Sequence, residues 1–368
     1  MSLATSASPP PTHTHLGMYI GQPVWSRAVE RNAGVHAVSW SPDNKYVIVG
    51  TSHKDIRGYD AKTGDDAFTI TCAEFTGECI TSIVVSPDSS FFIAFVLYRR
   101  LFCRASLTDP AQEKVIVNTD DVIRRVDISR DNKNVFVSIL EGVNVYSSST
   151  MELINHVHLT GSWRILACMS DSRFALTVED RGIQITRGSR VRIENWTTGE
   201  NVLQLQGQVH GYVSCSAVSQ CGQWALTCSS DGIVQVWSPR ADSPGPEVFA
   251  KIGGTLTSVA ISPNSRFCAM ADMRRVLVWS LATRELERVL DIYDRQHDVD
   301  LRFCNVAFSP DSTRIVAGSN FRGHTSVWDL YHNARKVILA ALSHESWSRF
   351  FLDRDGDHAI VSRVVGFM

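Results

Sequence analysis

One short pattern recurs eight times and constrains this chain more than any other feature. An apolar run ends in a Ser-Pro-Asp type turn and is followed at once by a second apolar run. The instances are AVSWSPDNKYVIVG from Ala37, SIVVSPDSSFFIAF from Ser82, RVDISRDNKNVFVSI from Arg125 and ILACMSDSRFALTV from Ile165. They continue with SCSAVSQCGQWALTC from Ser214, SVAISPNSRFCAMA from Ser258, NVAFSPDSTRIVAG from Asn305 and SRFFLDRDGDHAIVS from Ser348. The turns begin at Ser41, Ser86, Ser129, Met169, Ser219, Ser262, Ser309 and Asp353, at intervals of 45, 43, 40, 50, 43, 47 and 44 residues. Ser, Pro, Asp and Asn each favour a tight reversal, so every instance predicts two antiparallel strands joined by a short turn.

Each unit continues with a third segment of alternating polarity that often closes on an aromatic residue. Examples are Tyr59, Tyr146, Trp196, Trp237, Trp279 and Trp328. A fourth, weaker run follows, as in AFTITCAEF from Ala67, KVIVNT from Lys114, NVLQLQG from Asn201 and KVILAAL from Lys336. Period-two alternation places these side chains on one sheet face. Four short antiparallel strands in roughly 45 residues is the period of a β-propeller blade, so the predicted class is all-β.

Composition agrees with a large packed core and excludes several alternatives. The chain has 368 residues, 44% of them hydrophobic, with 36 Lys and Arg against 38 Asp and Glu. A formal net charge of -2 gives no global attraction to nucleic acid or to an anionic membrane. Nine cysteines, an odd number without C-x-x-C spacing, read as free thiols. The N-terminal stretch from Met1 to His15 lacks a cationic start followed by an apolar stretch, and reads as a disordered arm. The longest apolar run, Phe91 to Tyr98, is far short of the ~20 residues a membrane helix needs. The expectation is a soluble protein of the cytoplasm or nucleus.

From about Val35 to Met368 the units resemble WD repeats. Val209 to Val248 matches best, with His210-Gly211 before the first strand, Ser230-Asp231-Gly232 between the second and third, and Val236-Trp237 closing the third. The resemblance implies a propeller in which His210, Thr227, Asp231 and Trp237 form a buried hydrogen-bonded network of structural role. Elsewhere the motif has decayed: His53 and Arg322 stand where that unit has Asp231, and Cys103 replaces the tryptophan. The expected organisation is residues 1–15 as the arm and 16–368 as one propeller. Eight blades are favoured, with seven as the alternative. The eighth unit stops after its third strand, so the apolar segment Leu16 to Val29 is expected to supply its fourth, pairing the two chain ends and removing an open edge.

No catalytic signature accompanies this scaffold. There is no G-x-S-x-G elbow, P-loop, dinucleotide fingerprint or H-E-x-x-H. Two H-x-H pairs, His13/His15 and His156/His158, lack a third ligand nearby and read as surface imidazoles. Asp353, Asp355 and Asp357 around Gly356 lack the Glu and the spacing of a calcium loop. No metal or cofactor is expected.

The distribution that does point to a function is basic. In a propeller the second-to-third turns and the connections between blades share one face. Here they carry Lys54, Arg57, Arg99, Arg100, Arg181, Arg274, Arg275 and Arg322, with Arg124 and Arg125 beside them. Such a face suits an acidic or phosphorylated segment, although Asp120, Asp121, Glu141, Glu179, Asp180 and Asp231 lie close enough to neutralise it. Trp163 and Trp347, outside the repeating aromatic position, are candidate anchors as well as candidate packing residues. The longest unit adds a hairpin bearing Arg187, Arg190 and Arg192.

The reading is a non-catalytic scaffold for protein partners, monomeric within a larger complex, with no nucleic acid and no membrane span. One alternative is an enzyme or small-molecule binder using the central channel. First strands such as Val38-Ser39-Trp40 and Val259-Ala260-Ile261 are too apolar for convergent chemistry of that kind. The other is a phosphoinositide-binding propeller, whose Phe-Arg-Arg-Gly motif survives here only as Tyr98-Arg99-Arg100-Leu101 and Met273-Arg274-Arg275-Val276.

Overall fold

A computed structural model describes residues 23–29, 33–75, 79–109, 114–139, 142–158, 163–168, 174–179, 191–195, 198, 200–204, 213–238, 246–272, 275–291, 303–320 and 323–331. All regular structure among them is β, in seven four-stranded antiparallel sheets. Blade 1 is built from Val35–Trp40, Tyr46–Thr51, Asp55–Asp60 and Asp66–Thr71; blade 2 from Ser82–Val85, Phe91–Phe95, Leu101–Ser106 and Lys114–Asn118. Blade 3 follows with Arg125–Ile128, Asn134–Ser138, Gly142–Ser147 and Leu153–His158, and blade 4 with Trp163–Cys168, Phe174–Glu179, Val191–Asn195 and Glu200–Gln204. Blade 5 comprises Val213–Val218, Ala225–Ser229, Ile233–Trp237 and Glu247–Lys251; blade 6 comprises Leu256–Ile261, Phe267–Asp272, Arg275–Ser280 and Leu286–Asp291. Blade 7 takes Phe303–Phe308, Arg314–Ser319 and His324–Asp329 from its own repeat and Trp25–Ala28 from the N-terminal end. Apart from Asp329, the last residue of blade 7, these blades lie within the first of two compact units, Met1–Trp328; the second is Asp329–Met368.

The core lies between blades. Ile48, Ile56 and Ile80 of the first repeat meet Phe92 and Cys103 of blade 2. On the other side of the same sheet Phe91, Ile93 and Phe102 meet Val126, Val135 and Tyr146 of blade 3. Blades 5 and 6 share a third cluster through Leu226, Val234, Leu256 and Met270. A second strand buried on both faces has no polar alternation, which is why Phe91–Phe95 reads as an unbroken apolar run with every residue buried.

The recurring turn has one geometry. Ser41 Oγ donates to Asp43 Oδ1 at 2.6 Å and accepts the Tyr46 N–H at 2.8 Å. Ser86, Ser129 and Ser309 repeat this with Asp88, Asp131 and Asp311, and Ser262 with Asn264. The next residue is left-handed: φ is 61° at Asn44, 60° at Ser89, 58° at Asn132, 69° at Gly222, 56° at Ser265 and 60° at Ser312. Asn and Gly suit that conformation, whereas Ser does not. Its hydroxyl explains the choice, because Ser89 Oγ accepts the Asp43 N–H of the preceding blade at 3.0 Å and Ser312 Oγ accepts that of Asn264 at 3.1 Å.

The partner of the N-terminal strand differs from expectation. Trp25–Ala28 pairs with the third strand of the seventh unit, in the register Trp25↔Val327 to Ala28↔His324, and not with the eighth unit. Trp25 decides this: it is buried with Tyr59, Val316 and Val327, and its indole N–H donates to the Ala61 carbonyl of blade 1 at 3.2 Å. Arg27 adds bonds to the Gly64 carbonyl and Asp65 carboxylate, each at 2.8 Å. The described residues therefore hold seven blades, the number kept above as the alternative. The eighth unit, from Ser348, and the arm at 1–15 lie outside the described residues.

Candidate interaction surface

Among the described residues, the second-to-third turn of blade 2 carries two exposed large hydrophobic side chains on the predicted face, Leu97 and Tyr98. It runs Val96-Leu97-Tyr98-Arg99-Arg100, and Leu97 to Arg100 are all exposed. Tyr98 keeps 61% of its surface in water and sits at φ 63°, a left-handed conformation costly for a bulky residue. The backbone compels it. The Tyr98 N–H donates to the Ile123 carbonyl at 2.9 Å, and the Arg99 and Arg100 carbonyls accept N–H groups of Ile123 and Thr119 at 2.7 Å each. On the other side the Leu97 N–H donates to Thr81 Oγ1 at 2.8 Å. The turn is thus stitched to both connections flanking blade 2, and presents an aliphatic, an aromatic and two guanidinium side chains from a fixed backbone.

The anticipated basic ring is uneven among the described residues. Arg125 forms an ion pair with Asp127 at 2.9 Å, Arg275 with Asp272 at 3.0 Å, and Arg57 lies 4.0 Å from Asp55. In each case the acid is a near neighbour in sequence, and none is among the six anticipated from sequence. Asp231 instead serves its own turn, accepting from Ser229 Oγ and the Ile233 N–H. Arg124 is half-buried, and its N–H donates to the Ser138 carbonyl of blade 3 at 2.9 Å. Arg99 and Arg100 are exposed side by side, whereas Lys54, Arg57, Arg124 and Arg125 are half-buried. Arg181, Arg274, Arg322, Trp347 and His210 lie outside the described residues, as do Arg187 and Arg190. Trp163 opens the first strand of blade 4 opposite Glu179, and Arg192 is buried in its third strand.

Sequence reasoning reached Arg99 and Arg100 but passed over Leu97 and Tyr98 as binding groups. The available signal was an aromatic residue at the turn position where blade 5 has Gly232 and blade 7 has Gly323.

Thr227 and Trp237, both fully buried, are joined across the second and third strands of blade 5, the indole N–H donating to Thr227 Oγ1 at 2.8 Å. The first strands carry a polar seam as well as small apolar residues. Asn305 Nδ2 donates to the His36 carbonyl, and Ser258 Oγ donates to Asn305 Oδ1, each at 3.4 Å. Burial holds the His36 imidazole below its ordinary pKa. These groups satisfy one another between blades 6, 7 and 1. Among the described residues no three His, Cys, Asp or Glu side chains converge as a metal cage, and no helix is long and apolar enough to cross a membrane.

Comparison with known proteins agrees with this architecture. Residues 23–60 and 199–238 match the WD40 family, described as WD domain, G-beta repeat. The chain is similar to WD repeat, SAM and U-box domain-containing protein 1 of Danio rerio, with 34% identity over 121 residues, 32% of this chain and 23% of that protein. It is also similar to the Target of rapamycin complex subunit wat1 of Schizosaccharomyces pombe, with 21% identity over 182 residues, 49% of this chain and 55% of that protein. The matches thus span between 23% and 55% of the length of these curated relatives. Seven four-stranded blades, a recurring Ser-Asp turn and WD40 matches in the first and fifth blades together show WD40-type repeats in two places of an all-β chain whose sheets are those of a β-propeller.

Proposed function

We propose that the protein is a non-catalytic scaffold that docks an acidic or phosphorylated segment of a partner protein on Leu97-Tyr98-Arg99-Arg100. WD-repeat proteins act as interaction platforms, and the observation supporting this site is a strained, exposed Tyr98 locked by backbone hydrogen bonds beside two exposed arginines. Tyrosine and arginine dominate interface energetics because each combines contact area with directional hydrogen bonding. A guanidinium pair also suits the bidentate geometry of carboxylate or phosphate. Because the loop is already ordered, little conformational entropy is lost on binding.

The same reading places the chain within a multi-subunit assembly in the cytoplasm or nucleus, as one monomeric propeller among other subunits. Similarity to a protein named as a subunit of the target of rapamycin complex supports an assembly of that kind. Affinity capture with mass spectrometry tests the site. Wild-type protein is compared with Tyr98→Ala/Arg99→Glu/Arg100→Glu, whose fold is checked by circular dichroism. Partners recovered by the wild type and lost by the variant support the site, and an unchanged partner set refutes it. Anionic vesicles form a parallel arm: binding to them in place of protein would favour the lipid alternative.

A further inference from the structure

The outer strand of blade 3, Leu153–His158, carries His156 and His158 on one face, two residues apart. Their rings meet edge to face with centroids 4.3 Å apart and an interplanar angle of 74°. His156 Nε2 lies 3.3 Å from His158 Nδ1. Two nitrogens bound at ~2.0–2.1 Å to one tetrahedral ion stand ~3.3–3.4 Å apart, so the pair already has the bite of a chelate.

The group behind His156 sets its tautomer. His156 Nδ1 is 2.5 Å from Asn144 Oδ1, a carbonyl oxygen that only accepts, so Nδ1 carries the proton and donates it. Nε2 is then the unprotonated nitrogen and accepts the His158 Nδ1–H, a proton that an ion bound between the two nitrogens displaces to His158 Nε2. Asn144 is itself fixed: it is buried in the neighbouring strand, directly opposite His156 in register, and its Nδ2 donates to Tyr146 Oη at 3.4 Å. Tyr146 packs edge-on against Phe102 of blade 2, with ring centroids 5.5 Å apart. Opposite His158 stands Gly142, which has no side chain to compete for the imidazole. A carbonyl that receives the distal N–H of a ligating histidine is the arrangement that orients imidazoles in metal sites.

We infer that His156 and His158 chelate one late first-row divalent ion, zinc or copper, through His156 Nε2 and His158 Nδ1, with Asn144 as the positioning residue. Imidazole suits these ions. His158 is exposed and His156 half-buried, so the ion reaches the site without opening the fold. The assignment is independent of the docking turn of blade 2, and it revises the reading of this pair as isolated surface imidazoles.

The full chain is titrated with ZnCl2 by calorimetry and with CuCl2 by electron paramagnetic resonance, which registers coordinated nitrogen. Wild type, His158→Ala, His15→Ala and Asn144→Ser are compared, each checked by circular dichroism. The expected result is one site per chain, with nitrogen coupling, abolished by His158→Ala and untouched by His15→Ala. Asn144→Ser weakens it about tenfold, the lower end of what loss of an orienting partner does. Absence of stoichiometric binding to the wild type, or binding that survives His158→Ala, overturns the inference. An effect of Asn144→Ser smaller than twofold removes the positioning role from Asn144.

Discussion

Trp25 of the N-terminal strand lies against Gly64 of blade 1, so close that a Cβ at Gly64 would stand 2.6 Å from the indole ring. Gly64 also has φ 74°, so a side chain there is opposed by the backbone and by the tryptophan alike. The two residues join the seventh blade to the first, because Trp25 belongs to the sheet of Val327 while Gly64 closes a turn of blade 1. Trp25→Ala removes the ring and its bond to Ala61, with an expected loss of about 3–5 kcal/mol in chemical denaturation. A loss below ~1 kcal/mol would mean that the blades hold without this contact.

The Thr227–Trp237 bond separates shape from hydrogen bonding. Thr227→Val keeps the volume and strands the buried indole N–H, for an expected cost of about 1–3 kcal/mol. Thr227→Ser retains the hydroxyl and loses only a methyl group, so it is the milder change. Stability of Thr227→Val equal to wild type in urea would show that the bond contributes nothing.

At Tyr98, stability and binding are expected to move in opposite directions. Tyr98→Gly relieves ~1–2 kcal/mol of left-handed strain and loses ~0.4–1 kcal/mol through the freer unfolded chain. The exposed ring contributes little burial, so a net stabilisation of about 0.5–1 kcal/mol follows. Thermal denaturation measures the first effect and partner capture the second. A variant less stable than wild type contradicts the strain argument.

The turn carboxylates make the fold acid-sensitive. The Ser129 hydroxyl, then the Lys133 N–H, hold Asp131 below the ordinary carboxyl range; the Thr63 and Lys62 N–H groups do the same for Asp60. At Asp43 burial pushes the other way, but bonds from Ser41 and Lys45 outweigh it. A depressed folded-state pKa means stability that is complete above the unfolded value of ~3.9 and is lost as pH falls through the lower folded value. The denaturation midpoint should stay flat above about pH 5 and fall below about pH 4. Asp131→Asn should flatten part of that fall, and an unchanged slope would remove Asp131 from the account.

The sideways bond between turns is also testable. Ser312→Ala keeps the left-handed backbone, deletes the acceptor of the Asn264 N–H, and is expected to lower stability by about 1–2 kcal/mol. Ser312→Gly also deletes the acceptor but relieves the strain, and should fall between that variant and wild type.

Local order was legible because local chemistry makes it. Ser41, Asp43 and Asn44 specify their turn among themselves, and the unbroken apolar run at Phe91–Phe95 specifies a strand buried on both faces. Pairings across the chain were not legible in the same way. Nothing in WSRA marks Val327 as its partner, since the choice rests on a pocket formed by Tyr59, Val316 and Val327, which come from three places in the sequence. The basic ring was read from the spacing of its basic residues and six nearby acids, whereas the structure sets two other acids against it, Asp127 on Arg125 and Asp272 on Arg275. Tyr98 and Asn144 were missed for related reasons. One draws its prominence from a backbone angle, and the other from a cross-strand register that no spacing in the sequence reveals.

The pairing of Trp25 with Val327 also sets a condition on synthesis. A ribosome adding ~5–20 residues per second needs ~15–60 s to travel from one partner to the other. Throughout that interval the strand Trp25–Ala28 has no edge to join, and its tryptophan lacks the Val316 and Val327 side of its pocket. Final assembly therefore joins two segments made far apart in time, and a nascent chain that stalls before Val327 carries Trp25–Ala28 unmatched together with an open edge at its growing end.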